Sequence, residues 1–310
     1  MSRLVAVVGP TATGKSSLGI AIARAIGGEI IACDSTAVYR GIDIGTDKVP
    51  EAEQGGIPHH LSDIVEPTDV YSAARYATDA ARMARAIEAR GRVPVLVGGT
   101  GLYYRALVRG LFPGPARDEA LRARLERIAD RRGLETLYRW LARVDAPSAT
   151  RIQPRDRRRI VRALEVYLLT GTPLTVHFER TTSPIAGMEV VTVGLRLERE
   201  VLRPRITSRV DTQLARGVVD EVRTLIAAGV PGSAQVFSGL VYRQVVEMLD
   251  GVRDEAATRE LIIRENMHYA RRQLVWFRSE PVDRWIDRPG ETPEALVEAM
   301  ALIGGAPQRE

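Results

Sequence analysis

The chain of 310 residues holds a single cysteine, Cys33, which excludes a disulfide scaffold. No apolar run approaches the roughly 18 to 20 residues needed to span a bilayer. The opening Met1-Ser2-Arg3 leads through five apolar residues straight into a glycine loop, too short a stretch for a secretory signal. Internal repeats and low-complexity tracts are also missing. With 45% hydrophobic residues, these absences point to a globular, cytoplasmic protein of one large or two modest domains.

Lysine is nearly absent: Lys15 and Lys48 stand against 42 arginines. The net charge of +5 is also unevenly placed. Residues 113–187 carry fifteen arginines, no lysine and nine carboxylates, so they hold an excess of +6 and the remainder is almost neutral. The densest part is Arg155-Asp156-Arg157-Arg158-Arg159, followed by Arg162. Such clustering fits a polyanion partner, and it equally fits a solvated, salt-bridged helical surface.

Residues 4–8, 29–33 and 92–97 read as short apolar strands, with helices over 16–26 and 71–90 between them. Buried strands alternating with helices imply right-handed βαβ units and a parallel sheet. After Pro113 and Pro115 the pattern turns helical and arginine-rich, over 118–143 and 156–170, and Gly171-Thr172-Pro173 ends it. Strand character returns at 189–197, helices follow at 201–228 and 255–278, and 282–286 reads as a last strand. Residues 304–310 read as a frayed tail. The expected fold is α/β: a P-loop NTPase-like core of residues 1–112 and 188–310 around an all-helical insertion, 113–187.

Gly9-Pro10-Thr11-Ala12-Thr13-Gly14-Lys15-Ser16 fits G-x-x-x-x-G-K-[ST] between a strand and a helix, the context a phosphate loop requires. Its amides would curl around phosphate oxygens at the helix N-terminus, Lys15 would reach the terminal phosphate, and the Ser16 hydroxyl could ligate Mg²⁺. One of two lysines falling here suggests that a compact ammonium is needed. The chain is thus expected to bind a di- or triphosphate.

An ATPase of this class places an Asp at the end of a later strand. Here residues 92–97 run into Gly98-Gly99-Thr100, and the carboxylate, Asp34, instead ends the second strand. Strand C-termini of a parallel sheet share one crevice, so Lys15, Asp34 and Thr100 should converge. Asp34 is either a base beside the phosphates or a structural residue, a helix cap or part of a magnesium second shell. His59-His60 lacks a nearby cysteine or third histidine and reads as packing or substrate contact rather than metal binding. Cys33 reads as a small core residue.

Several strings occur together: Asp34-Ser35-Thr36-Ala37-Val38-Tyr39, Asp43-Ile44-Gly45-Thr46-Asp47-Lys48, Pro58-His59-His60-Leu61-Ser62-Asp63 and Val97-Gly98-Gly99-Thr100-Gly101-Leu102-Tyr103. Further along stand Arg159-Ile160-Val161-Arg162-Ala163-Leu164-Glu165-Val166, Val241-Tyr242-Arg243-Gln244 and Tyr269-Ala270-Arg271-Arg272-Gln273-Leu274-Val275-Trp276-Phe277. In this order and spacing the chain resembles the bacterial tRNA dimethylallyltransferases across nearly its whole length. The chain departs from the family's pattern at Ala37, where some relatives carry glutamine, and at Leu240-Val241, which replace the glycine expected before Tyr242.

The resemblance implies a Mg²⁺-dependent monomer that transfers a dimethylallyl group from dimethylallyl diphosphate to the exocyclic N6 amine of the adenosine just 3′ of a tRNA anticodon. It makes Asp34 the general base, Thr100 a positioning group and Arg209 a ligand of the diphosphate. Gly9, Thr11, Ala12, Thr13, Gly14, Lys15 and Ser16 would hold that diphosphate. It places tRNA contacts at Asp34, Ser35, Thr36, Ala37, Thr100, Arg158, Arg159, Ile160, Val161, Arg162, Tyr242, Arg243, Arg271 and Arg272, with the helical insertion clamping the anticodon stem-loop. Trp276 would stack on RNA or pack in the core, and Tyr103-Tyr104 would line the prenyl pocket or face the core. Rival readings are a small-molecule kinase, a prenyltransferase of free AMP or ATP, and an RNA-binding protein that uses phosphate as a regulatory ligand.

Overall fold

The computed structural model describes residues 2–112 and 114–305. Pro113 and residues 306–310 of the expected 304–310 tail lie outside the described residues, whereas Gly304 closes the last helix. The chain divides into two compact units, one of residues 1–108 with 184–310 and one of residues 109–183.

The first unit begins with β1 (Arg3–Val8), α1 (Lys15–Ile26), β2 (Gly28–Cys33), β3 (His59–His60), α2 (Ala73–Ala89), β4 (Val93–Gly98) and α3 (Gly101–Val108). The second unit holds α4 (Glu119–Arg132), α5 (Leu134–Val144), α6 (Ala146–Arg151), α7 (Arg157–Thr170) and α8 (Leu174–Glu179). The first unit resumes with β5 (Glu189–Leu195), α9 (Arg199–Ala215), α10 (Val218–Ala227), α11 (Tyr242–Leu249), α12 (Glu255–Phe277), β6 (Arg284–Ile286) and α13 (Pro293–Gly304).

Six parallel strands form one sheet in the order β3-β2-β4-β1-β5-β6. Both faces are covered, which is why the strands read as continuous apolar runs. Val5, Val7, Ile30, Val95 and Val97 pack on one face with Leu18, Ile22 and Ala299. Leu4, Ala6, Val8, Ile31 and Leu96 pack on the other with Tyr76, Tyr104, Ile206 and Phe277. Cys33 is fully buried there. Tyr103 and Tyr104 face this core, Tyr103 stacked on Tyr76 with ring centroids 4.1 Å apart. Trp276 also packs against it, with the Arg105 guanidinium over its ring at 4.4 Å.

Two expected helices are broken. The 118–143 segment stops at Gly133 (φ 82) and the 201–228 segment at Gly217 (φ 90), each time because glycine accepts the turn that redirects the chain. The strand β3 was not expected: His59 and His60 pair with Ile30 and Ile31 at the sheet edge. His60 Nε2 meets the Glu29 carboxylate at 2.7 Å, and Arg90 pairs with the same carboxylate. Among the described residues no helix is long and apolar enough to cross a membrane.

The helical unit has its own core of Leu125, Leu137, Leu141, Ile160, Val161 and Leu164. At its centre the Glu165 side chain is fully buried and accepts from the Asp118 amide at 2.9 Å, Arg122 Nε at 3.0 Å and Arg162 Nη1 at 2.7 Å. Burial alone would raise its carboxyl, but these donors outweigh it and hold the group below its ordinary range. Its stabilisation is therefore present above the unfolded-state value and fades as the pH falls through the folded one. Glu165→Ala should cost about 2–3 kcal/mol, because both guanidinium groups keep some solvent while the pairing is lost. The expected signature is reduced hydrogen-exchange protection in α4 and α7 with β1 and β4 unchanged; unchanged protection in α4 and α7 would contradict it.

Candidate active site

The phosphate loop joins β1 to α1 and is shaped by what its neighbours leave room for. Gly9 has φ 142, and a Cβ there would lie 2.4 Å from the Leu195 carbonyl oxygen, so no side chain fits. Thr13 Oγ1 donates to Pro10 O at 2.9 Å, and the Lys15 ammonium folds back onto the same carbonyl. Gly290 N donates to Thr13 O at 2.9 Å, while Arg205 bonds Ala12 O and pairs with Glu291. Ser16, in the first turn of α1, is exposed.

Gln273 of α12 is a site residue that the sequence did not single out. Its buried amide accepts from Thr11 N and donates to Gly99 O, both at 2.9 Å, linking the loops after β1 and β4. The only sequence signal was its place inside the Tyr269–Phe277 string.

The loop after β2 is held by Asp34. Its Oδ1 accepts from Thr36 N at 2.8 Å, Thr36 Oγ1 at 2.6 Å and Ala37 N at 3.3 Å, so the capping role belongs to one oxygen and Oδ2 takes no part in the turn. Thr100 Oγ1 accepts from Ser35 N at 3.1 Å, and Thr100 N donates to Cys33 O at 3.1 Å. Tyr269 lines the adjoining cavity, and burial and the Asp34 charge push its phenol up to about 12. It therefore stays protonated and able to donate at neutral pH.

These loops line a cavity of about 630 Å³ with Thr11, Lys15, Ser16, Asp34, Ser35, Thr36, Ala37, Arg209, Arg243, Tyr269, Arg272 and Gln273 on its walls. Ile30, Ala32, Val49 and Val97 give it an apolar section, and His59, with Nδ1 at 2.8 Å from Ile57 O, lies on the same wall. The size suits a small organic ligand. Arg209 of α9 donates to Thr11 Oγ1 and pairs with Asp47. Burial and the Arg209 charge lower the Lys15 ammonium to about 7, against a smaller opposing effect of Asp34. Among the described residues no group of three or more His, Cys, Asp or Glu could hold a metal ion, so a cation here would lean on Ser16 and on ligand oxygens.

Not every expected contact residue reaches a surface. Tyr242 is fully buried: its hydroxyl donates to Glu221 Oε1 at 2.6 Å and accepts from Gly45 N at 3.0 Å. Its side chain braces the 43–45 loop and presents no surface of its own. Ile160 and Val161 are likewise buried in the helical core, because they form the apolar stripe of α7. Arg158 and Arg159 are exposed; Arg159 is paired with Asp156, and Arg162 is tied to Glu165 and Pro115 O. Arg271 is exposed but off the cavity, whereas Arg272 lies over the Tyr269 ring at 5.7 Å. Arg243 pairs with Glu265 at 2.8 Å. Val241 takes φ 74, the glycine-like backbone that its position calls for, at the N-terminus of α11.

The IPP transferase family matches residues 37–280. The chain belongs to this family. It is 43% identical over 301 residues to a tRNA dimethylallyltransferase of Geobacter metallireducens, covering 97% of each chain. The solved tRNA isopentenylpyrophosphate transferase of Bacillus halodurans superposes with a TM-score of 0.73 at 36% identity, covering 98% of this chain and 96% of that one. A eukaryotic dimethylallyltransferase, solved acting on tRNA, superposes at 0.74 with 28% identity, over 89% of this chain and 70% of that one.

The Lys15 environment of this family member has a measurable consequence. At pH 8 a lysine lowered to about 7 is mostly neutral, and an anion placed beside it favours the charged form. Binding of inorganic pyrophosphate should therefore draw in more protons than in Lys15→Arg, whose guanidinium is always charged. Calorimetry in buffers of different ionisation enthalpy reads this difference, and equal proton counts would contradict it.

Proposed function

We propose that this chain is a tRNA dimethylallyltransferase. It transfers a dimethylallyl group from dimethylallyl diphosphate to the exocyclic N6 amine of the adenosine 3′-adjacent to a tRNA anticodon, releasing diphosphate. The observation that carries this reading is the Asp34 carboxylate, held by one oxygen and lining the same cavity as Lys15 and Arg209.

The chemistry asks for that combination. An adenine amine is a weak nucleophile because its lone pair is delocalised into the ring. As nitrogen bonds to the allylic carbon, a proton must leave the amine, and Asp34 Oδ2 accepts it. The carbon–oxygen bond to the leaving group breaks in the same step, and charge grows on the diphosphate. Loop amides, Lys15 and Arg209 answer that charge from fixed positions, each preorganised donor contributing a few kcal/mol. Thr100, bonded to the Ser35 amide next to Asp34, and Tyr269 on the cavity wall would orient the incoming amine. Mg²⁺, held by the Ser16 hydroxyl together with diphosphate oxygens, would neutralise part of the leaving-group charge.

The apolar section of Ile30, Ala32, Val49 and Val97 suits a five-carbon hydrocarbon. The adenine must leave its stack to enter, at a cost of a few kcal/mol. Arg158 and Arg159 of the helical unit, with Arg243 and Arg272 at the cavity, supply phosphate contacts that offset it. Several arginines of the basic run are internally paired, Arg157 with Glu126 and Asp130 and Arg162 with Glu165, so fewer charges serve RNA than the +6 excess suggests.

Labelled dimethylallyl diphosphate offered with tRNA, with AMP or with no acceptor tests the reading. Label should pass to tRNA alone. Transfer to AMP, or tRNA binding without product, would overturn it.

A further inference from the structure

Arg209 meets the phosphate loop with part of its guanidinium already engaged. Nη1 donates to Thr11 Oγ1, while Nε pairs with Asp47, whose carboxylate also accepts from Gln213 Nε2 at 3.0 Å. Asp47 lines the same cavity as Lys15 and Arg209.

The backbone that carries the carboxylate is held in place. Asp47 has φ 50, a left-handed turn, and the loop around it is tied at both ends. On one side Lys48 Nζ holds Tyr39 O at 2.6 Å and pairs with Asp43 and Asp63. On the other, Glu221 accepts from the Asp43 and Ile44 amides at 2.7 and 2.8 Å. Burial raises the Asp47 carboxyl even though Arg209 and Arg216 oppose the shift, so its charge is poorly compensated where it sits.

We propose that Asp47 is a built-in competitor for Arg209, an anion that weakens diphosphate binding and thereby speeds the exchange of substrate and product. The inference rests on the reading of Gly9–Ser16 as the diphosphate site. A diphosphate held by Lys15 and Arg209 meets this fixed like charge, and repulsion of that kind in a partly buried site corresponds to about tenfold in affinity per charge pair. A carboxylate that only aimed Arg209 at the loop would act with the opposite sign, strengthening diphosphate binding.

The test is calorimetric titration of inorganic pyrophosphate, with Mg²⁺, into the full chain and its Asp47→Asn and Lys15→Ala variants. Asparagine tolerates the left-handed backbone and keeps an oxygen for Gln213 and Arg209, so the turn is preserved. Asp47→Gly, which also accepts that backbone, removes the charge by a second route. Both Asp47 variants should bind pyrophosphate about tenfold more tightly, and the product should inhibit their turnover more strongly. Equal or weaker binding in both would overturn the proposal. Pyrophosphate affinity in the parent chain that Lys15→Ala leaves unchanged would instead overturn the reading of the loop, and the inference with it.

Discussion

The site depends on a single buried amide. Gln273 accepts from Thr11 N and donates to Gly99 O, and so binds the loop after β1 to the loop after β4 across the C-terminal edge of the sheet. With both of its polar ends satisfied away from water, such a bridge is stiff, and losing one end would strand the other. It also constrains a neighbour: a Cβ on Gly99 would lie 2.2 Å from the amide nitrogen, so any larger residue there would push the amide off its partners. Asp34 and Thr100 extend the clasp to the loop after β2. A parallel sheet brings its strand ends to one edge in any case, and these bonds turn that edge into a cavity of fixed shape.

Charge is arranged on the same frame. The first unit is almost neutral overall, yet it places Lys15 and Arg209 at the phosphate loop and Arg243 and Arg272 along the cavity wall. Lys15 is lowered by burial and by Arg209, a state that an incoming anion relieves. The site is thus electrostatically incomplete without an anion, as expected where donors are set in place before the reaction begins. Asp34 belongs to a different part of the balance: the turn uses one oxygen for architecture and leaves the other outside the turn.

How much of this was legible in the sequence follows from the range of each interaction. The phosphate loop, the apolar strands and Asp34 were readable because their signals are local, a glycine pattern or a run of branched residues beside a turn. Gln273 was not, because its partners lie 262 and 174 positions away and a glutamine on a helix carries no mark of burial. The two-residue strand β3 was too short to show a period. Tyr242 was expected to contact tRNA only through the family resemblance, and the packed loop at Gly45 shows why its hydroxyl points inward. The arginine run was visible as charge, whereas its division between ion pairs such as Arg157–Asp130 and the exposed Arg158 is a property of the folded helices.

The central claim is that Asp34 works through the oxygen its turn leaves over, and Asp34→Asn isolates that function. Asparagine keeps an acceptor for Thr36 and Ala37 but cannot take a proton from the adenine amine. Under single turnover with saturating tRNA and dimethylallyl diphosphate, the transfer rate should fall by about a hundredfold or more, with tRNA affinity and melting temperature unchanged. A rate within severalfold of the parent enzyme would show that the proton leaves by another route.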